Sequence, residues 1–299
     1  MVSVEEAKEL IRGGYDIHLH SAPDLLSRKA NDIEFARMAK EAGMAGFVLK
    51  SHYMPTAERA SLVRYVVEGF KAYGGLVLNW GVGGINPVAV EVSAKSGAKV
   101  VWMPTIDSIN EKGRWTNVND WSKAPYWAKL SKELKSLNKA TPIVIWKGQE
   151  LREEVYDVLD IIKKYNMILA TGHISKEDGL RFIPLASQYG VKRIVVTHPE
   201  FPSTSYRVEE QVKLLDYNPV FERCFTTPFS GKTTWDVVIR GIRETGIENN
   251  VLSTDLGQPT APYPVEGMIM FAQKLLEAGF SGDEIHRMIA DNPRKLLEE

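Results

Sequence analysis

Short runs rich in Val, Ile and Leu recur along this chain at intervals of about 25 to 30 residues with amphipathic segments between them, a rhythm that repeated βα units around a parallel sheet produce. The runs are Tyr15–His20, Gly46–Ser51, Leu76–Val82, Lys99–Thr105, Met167–His173, Arg193–His198, Val220–Thr226 and Val251–Asp255, with an extra one at Pro142–Trp146. Eight βα units predict an α/β fold of the closed (β/α)8, TIM-type barrel kind. The connecting segments carry helical signals of their own. Leu151, Val155, Val158, Leu159 and Ile162 mark one apolar face, and Ser281 with Glu284 makes a capping box that opens the last helix. From Ile106 to Gly148 the rhythm breaks, and Trp115, Trp121, Trp127 and Trp146 stand among polar residues. Following the fourth strand, this stretch reads as an insertion into one domain spanning 1–299. It serves either as a lid over the functional face or as a subunit interface in a homo-oligomer.

Charge narrows the choice of partner. Lys and Arg total 37 against 38 Asp and Glu, a net charge of −1, which leaves no electrostatic footprint for nucleic acid or an anionic membrane. A small-molecule substrate is the expected partner. Cys224 is the only cysteine, so no disulfide forms within the chain. The first ten residues carry three acids and no apolar signal core, and no run approaches the roughly 20 apolar residues that cross a bilayer. The expected location is cytoplasmic, without membrane association.

In a βα barrel, chemistry gathers at the C-terminal ends of the strands. His18 and His20 end the first predicted strand, His52 follows the second, His173 ends the fifth, His198 the sixth and Asp255 the eighth. Five of the six histidines therefore fall at strand ends, and only His286 lies in a helix, where a solvated role is expected. Alternate strand residues lie about 6.5 to 7 Å apart and point the same way, so the two imidazoles of His18-Leu19-His20 can converge on one divalent ion. For Asp255 the competing role is a helix N-cap after the last strand.

This ordered set, HxH on strand one, His on strands five and six and Asp on strand eight, resembles the amidohydrolase superfamily of metal-dependent hydrolases. Within it the chain is similar to a poorly characterised amidohydrolase-like group through Val48–His52, Gly83–Pro87, Trp102–Thr105 and Thr254–Gln258. The resemblance implies that His18 and His20 bind the more buried of one or two divalent ions, with Zn expected first and Mn, Fe, Co or Ni as alternatives. It implies that His173 and His198 face a second ion or the substrate, and that Asp255 is both ligand and catalytic proton acceptor. A cation lowers the pKa of bound water from 15.7 toward 7, and a neighbouring carboxylate takes the proton. The implied reaction is hydrolysis of an amide, cyclic amide, lactone or ester by metal-activated hydroxide. A metal-dependent phosphoesterase, with Lys50 or Arg223 holding the phosphate, and a non-catalytic binding barrel are the alternatives.

One departure stands out. The fourth strand ends in Trp102-Met103-Pro104-Thr105, with no lysine or glutamate to bridge two ions. Lys50, closing the second strand, is the first substitute as a carboxylated lysine. An unmodified Lys50 binding a substrate anion, or Lys147 from the extra strand, are the others. His52, Asn86 and Glu222 are expected to touch substrate, with Asn79, Asp107 and Cys224 facing the same mouth. Asp16, one layer deeper than His18, is expected to orient it. Two motifs fail: Gly231-Lys232-Thr233 lacks the upstream glycine of a phosphate loop, and Gly81–Asn86 ends in asparagine where a dinucleotide fingerprint needs glycine.

Overall fold

The computed structural model describes residues 3–115, 124–134, 136 and 139–299. Ten strands run in chain order: β1 Tyr15–Leu19, β2 Gly46–Leu49, β3 Lys71–Val77, β4 Ala98–Trp102, β5 Trp146–Lys147, β6 Glu150–Leu151, β7 Ile168–Ala170, β8 Ile194–Thr197, β9 Val220–Cys224 and β10 Asn250–Ser253. Eight of them form one parallel sheet in the order β1-β2-β3-β4-β7-β8-β9-β10, and β5 with β6 is a separate antiparallel hairpin. The sheet curls into a (β/α)8 barrel. β10 meets β1 just beyond its own end, where Leu19 and Leu256 form a parallel bridge and the Asp255 and Leu256 backbones bond to His18 O and His20 N, each at 2.8 Å.

Inside the barrel Ile17, Val48, Val77, Val100, Trp102, Ile168, Val195 and Val251 pack together. Leu296 and Leu297 of the C-terminal helix Asn292–Glu298 join this cluster, and the Tyr15 hydroxyl donates to Glu298 at 2.5 Å. That helix stoppers the end where the strands begin, so a cavity can open only at the other rim. Helices flank the sheet outside. Glu153–Lys164 buries Val155, Val158, Leu159 and Ile162 as its periodicity predicts, while Leu151 falls in β6. The capping box of Ser281 and Glu284 opens Gly282–His286.

The third strand departs from expectation: it begins at Lys71, ends at Val77, and leaves Trp80–Val82 as a 3-10 turn. Its centre is Gly74-Gly75, which carries no apolar signal. Glycine is required there, because a Cβ on Gly74 would lie 2.5 Å from the Thr56 carbonyl and one on Gly75 2.3 Å from Val100 O. The extra run Pro142–Trp146 stays out of the barrel; Ile143 bridges Ser108 and Trp146 enters the hairpin. The stretch 106–148 holds helices Ile109–Trp115 and Tyr126–Glu133, while Trp121 lies outside the described residues. His286 is half-buried with Nδ1 3.1 Å from Leu10 O, a structural contact in place of the solvated role expected. Among the described residues no helix is long and apolar enough to cross a membrane.

Candidate metal centre

Outside β3, the barrel strands stop one to three residues short of their predicted ends, which leaves His20, Lys50, His173, His198 and Asp255 just past the strands, on the cavity at the rim. His18 on β1 and His20 just past its end are both buried. Their Nε2 atoms each lie 3.2 Å from the same oxygen, Asp255 Oδ1. Asp255 reaches back to them from a left-handed backbone (φ 51°), and His198 also has a positive φ, 26°. Such conformations in non-glycine residues cost about 1 to 3 kcal/mol and persist where the surroundings enforce them.

Two further groups complete the floor. Lys50 Nζ, fully buried, lies 2.9 Å from His18 Nε2 and 5.4 Å from the Trp102 ring centroid. Across the cavity, His173 Nε2 and His198 Nε2 face each other at 3.0 Å, and His198 Nδ1 is buried without a partner among the described residues. The outer ring nitrogens of the other histidines meet fixed groups. Glu222 Oε1 is 3.1 Å from His18 Nδ1, Arg28 Nη2 is 3.3 Å from His20 Nδ1, and Thr105 Oγ1 is 2.8 Å from His52 Nδ1. Glu111 Oε1 lies 3.1 Å from His173 Nδ1, near enough to pair with an imidazolium though off the line of a hydrogen bond. Ser203 donates to Glu111. A carboxylate behind an imidazole fixes its tautomer and turns the opposite nitrogen into a metal ligand.

Electrostatics divide these groups. Burial and the nearby Lys50 oppose a charge on His18, but Glu222 and Asp255 outweigh them and lift its pKa to about 9. Burial first, then Arg28, pushes His20 well below its ordinary value, and burial likewise lowers His52, His173 and His198. Burial works against a charge on Asp255, yet His18 and His20 hold it well below the carboxylate range. Lys50 is lowered by burial. Burial pushes the Cys224 thiol well up, so it remains protonated 3.8 Å from His18 Nδ1 and makes a poor ligand.

The donor set fits a divalent ion. Ligand atoms of His18, His20 and Asp255 lie within 4.8 Å of one another, the nitrogen and oxygen donors that zinc and its neighbours take. The paired imidazoles of His173 and His198 offer two more nitrogens on the same cavity. That cavity, about 520 Å³, is lined by His20, Lys50, His52, His173, His198 and Asp255 on the floor and by Leu26, Trp127, Phe201 and Lys232 above.

His18, His20, Lys50, His173, His198, Asp255 and His52 thus gather at one mouth. Glu222 does not line the cavity; it stands behind His18 because β9 registers Glu222 against Val251 and Thr197, below the rim. Asn86 is displaced too: it caps the helix Pro87–Lys95, accepting from Ala89 N at 3.3 Å and donating to Val82 O at 2.9 Å. Lys147 is exposed in the hairpin. Asn79 holds Thr105 and the His52 carbonyl in place, and Asp107 accepts from Trp80 N. Sequence reasoning missed Arg28, Glu111, Thr105 and Phe201. Arg28 and Phe201 sit in loops and Glu111 in the helix Ile109–Trp115, where no strand pattern marks them, while Thr105 closes the fourth predicted run without a signal for its contact with His52.

No curated protein matches the chain in sequence. Solved structures share its fold. An amidohydrolase from Pseudomonas aeruginosa superposes with a TM-score of 0.62 at 11% identity, covering 99% of this chain and 98% of its own. A mutant PTE-like lactonase from Deinococcus radiodurans gives 0.59 at 14% identity, covering 97% of each chain. An enamidase described as a member of the amidohydrolase superfamily gives 0.54 at 12% identity, covering 95% of this chain and 67% of its own. The barrel therefore has the fold of amidohydrolase-superfamily members. Over residues 13–222 the sequence matches a family of unknown function, DUF6282, and the chain belongs to that family.

Proposed function

We propose that this protein is a metal-dependent hydrolase acting on a small organic substrate through an amide, cyclic amide, lactone or ester carbonyl. The observation that carries the reading is the convergence of His18 Nε2 and His20 Nε2 on Asp255 Oδ1, each at 3.2 Å, with His173 and His198 on the same cavity. His18, His20 and Asp255 would hold a divalent ion, zinc first, with His173 and His198 available to a second, and such an ion would supply Lewis acidity, bringing the pKa of water toward 7. The protein's own residues supply the rest. Glu222 keeps His18 Nε2 facing inward, and Asp255, held ionised by His18 and His20, takes the proton as water attacks and returns it to the leaving group. His52, braced by Thr105, orients the substrate.

Lys50 is the proposed bridging group as a carbamate. Carbamylation joins an uncharged amine to CO2 and releases one proton, and burial favours that uncharged amine. Its position 2.9 Å from His18 Nε2 supports the assignment. The phosphoesterase alternative loses one of its two anion holders. Arg223 is fully buried outside the cavity against Glu200, Gln211 and Asn250.

Protein stripped with a chelator and reconstituted with Zn, Mn, Fe, Co or Ni should gain activity on a panel of amides, lactones and esters. Asp255→Asn should retain most of the metal yet nearly abolish turnover. Absence of metal-dependent turnover on the panel refutes the hydrolase, and full activity in Asp255→Asn removes that residue from the mechanism.

A further inference from the structure

The cavity of the proposed hydrolase carries a charge asymmetry that its metal chemistry does not use. Among the described residues, three basic side chains line it, Arg28, Lys50 and Lys232, against one acid, Asp255. Two of the three are accounted for. Arg28 gives Nε and Nη2 to Asp24 at 2.8 and 2.6 Å, and Lys50, the proposed carbamate, belongs to the floor 2.9 Å from His18 Nε2. The Lys232 ammonium has no carboxylate within ion-pair distance and no hydrogen bond among the described residues. It lies instead 4.6 Å from the Phe201 ring centroid. Phe201 in turn packs on the His198 and His173 rings at 4.7 and 5.6 Å. One aromatic ring therefore separates an unmatched cation at the mouth from the imidazoles on the floor.

We infer that Lys232 is a specificity residue that receives a carboxylate of the substrate, with the substrate's apolar body lying along Phe201 and Trp127. The substrates are then small organic acids whose reactive carbonyl reaches the floor while the carboxylate stays at the rim. Contact with the Phe201 face holds the ammonium in place beforehand, which lowers the ordering cost of pairing with an anion. A neutral substrate of the same shape leaves Lys232 unmatched and gains nothing from it. That the ligand is a substrate rests on the hydrolase reading; the anion preference does not, because binding is measured without turnover.

The test uses benzoate, phenylacetate and cyclohexanecarboxylate, each paired with its primary amide, titrated calorimetrically into metal-stripped and zinc-loaded protein at fixed ionic strength. Metal-stripped protein excludes direct ligation of zinc by the carboxylate. At least one acid should bind about fivefold tighter than its amide in both forms, as expected for a charge pair made at an exposed lysine. Lys232→Met should erase that difference and Lys232→Arg should keep it, with both variants folded by circular dichroism. The inference is overturned if no acid outbinds its amide, or if Lys232→Met keeps the preference. A Lys232-dependent preference in a protein without metal-dependent turnover supports the anion site and refutes only the hydrolase.

Discussion

Glu222 offers the sharpest test of how the centre is built, because it touches one imidazole and no part of the cavity. Its side chain is 1% exposed, and Oε1 lies 3.1 Å from His18 Nδ1. An imidazole that donates Nδ1–H to a carboxylate keeps Nε2 for the other side, toward Asp255, and offers its lone pair to the proposed ion once the second proton has left. A charge-assisted hydrogen bond contributes roughly 1.5 to 3 kcal/mol and a neutral one roughly 0.5 to 1.5. Glu222→Gln keeps an acceptor of the same size, so it should forfeit about 1 kcal/mol, roughly a fivefold loss of zinc affinity. Glu222→Leu removes the acceptor and should cost about 10- to 100-fold, the range seen when a ligand's outer partner is lost. Zinc affinity is measured by competition with a chromophoric chelator at about pH 7.5, near the pKa of zinc-bound water, with thermal unfolding to show that each variant folds and His18→Ala as the variant lacking a ligand. A folded Glu222→Leu variant that binds zinc within about twofold of wild type, far short of that range, refutes the role given to this carboxylate.

Three further outcomes follow from the buried charges. Since Glu222 and Asp255 lift His18 to about 9, zinc must displace its proton. Binding should release about one proton at about pH 7.5 and progressively fewer as pH rises through about 9. Calorimetry in buffers of different ionisation enthalpy measures the number, and zero release at that pH contradicts the assignment. The same upward shift from 6.5 means that the metal-free protein gains stability from His18 that is fully present below pH 6.5 and is lost as pH rises through about 9. Arg223→Met should destabilise by about 3 to 5 kcal/mol, because it strands the buried Glu200 carboxylate without its partner. A loss below about 1 kcal/mol in urea denaturation would show that Glu200 finds another partner.

What can be read from the sequence is whatever periodicity or position in a βα unit encodes. Strands built on branched apolar residues, such as Ile194–Thr197 and Asn250–Ser253, announce themselves, and the rim residues follow because each stands just past an apolar run. β3 is shifted from its expected place because its middle is Gly74-Gly75, where close approach to Thr56 and Val100 demands glycine and erases the apolar signal. Asn86 misleads for a related reason: its distance past a presumed strand suggests the rim, whereas the residue before Pro87 is a helix cap. Glu111 is not legible at all. It approaches His173 only because the helix Ile109–Trp115 lies over β7, with Ser108 and Asn110 both bonded to the His173 carbonyl.

One side chain links closure of the barrel to construction of the centre. Asp16, on β1, accepts from His18 N at 3.2 Å, from Thr254 N at 3.0 Å and from the Thr254 hydroxyl. These bonds draw the end of β10 alongside β1, and the next residue, Asp255, then turns through its left-handed backbone to face both histidines. Burial raises the Asp16 pKa to about 7 against the pull of those hydrogen bonds, so the latch does not need a full charge. Asp16→Asn can keep the two backbone bonds through Oδ1, and the Thr254 hydroxyl can turn to accept from the new amide; stability and zinc binding should change little. Asp16→Ala leaves three donors unmatched at about 1 kcal/mol or more each, and it frees Asp255 from its position. It should lose about 3 kcal/mol in urea denaturation together with most of the zinc affinity. If Asp16→Ala keeps zinc binding while losing stability, the seam and the centre are independent, and Asp255 is held in place by something other than the latch.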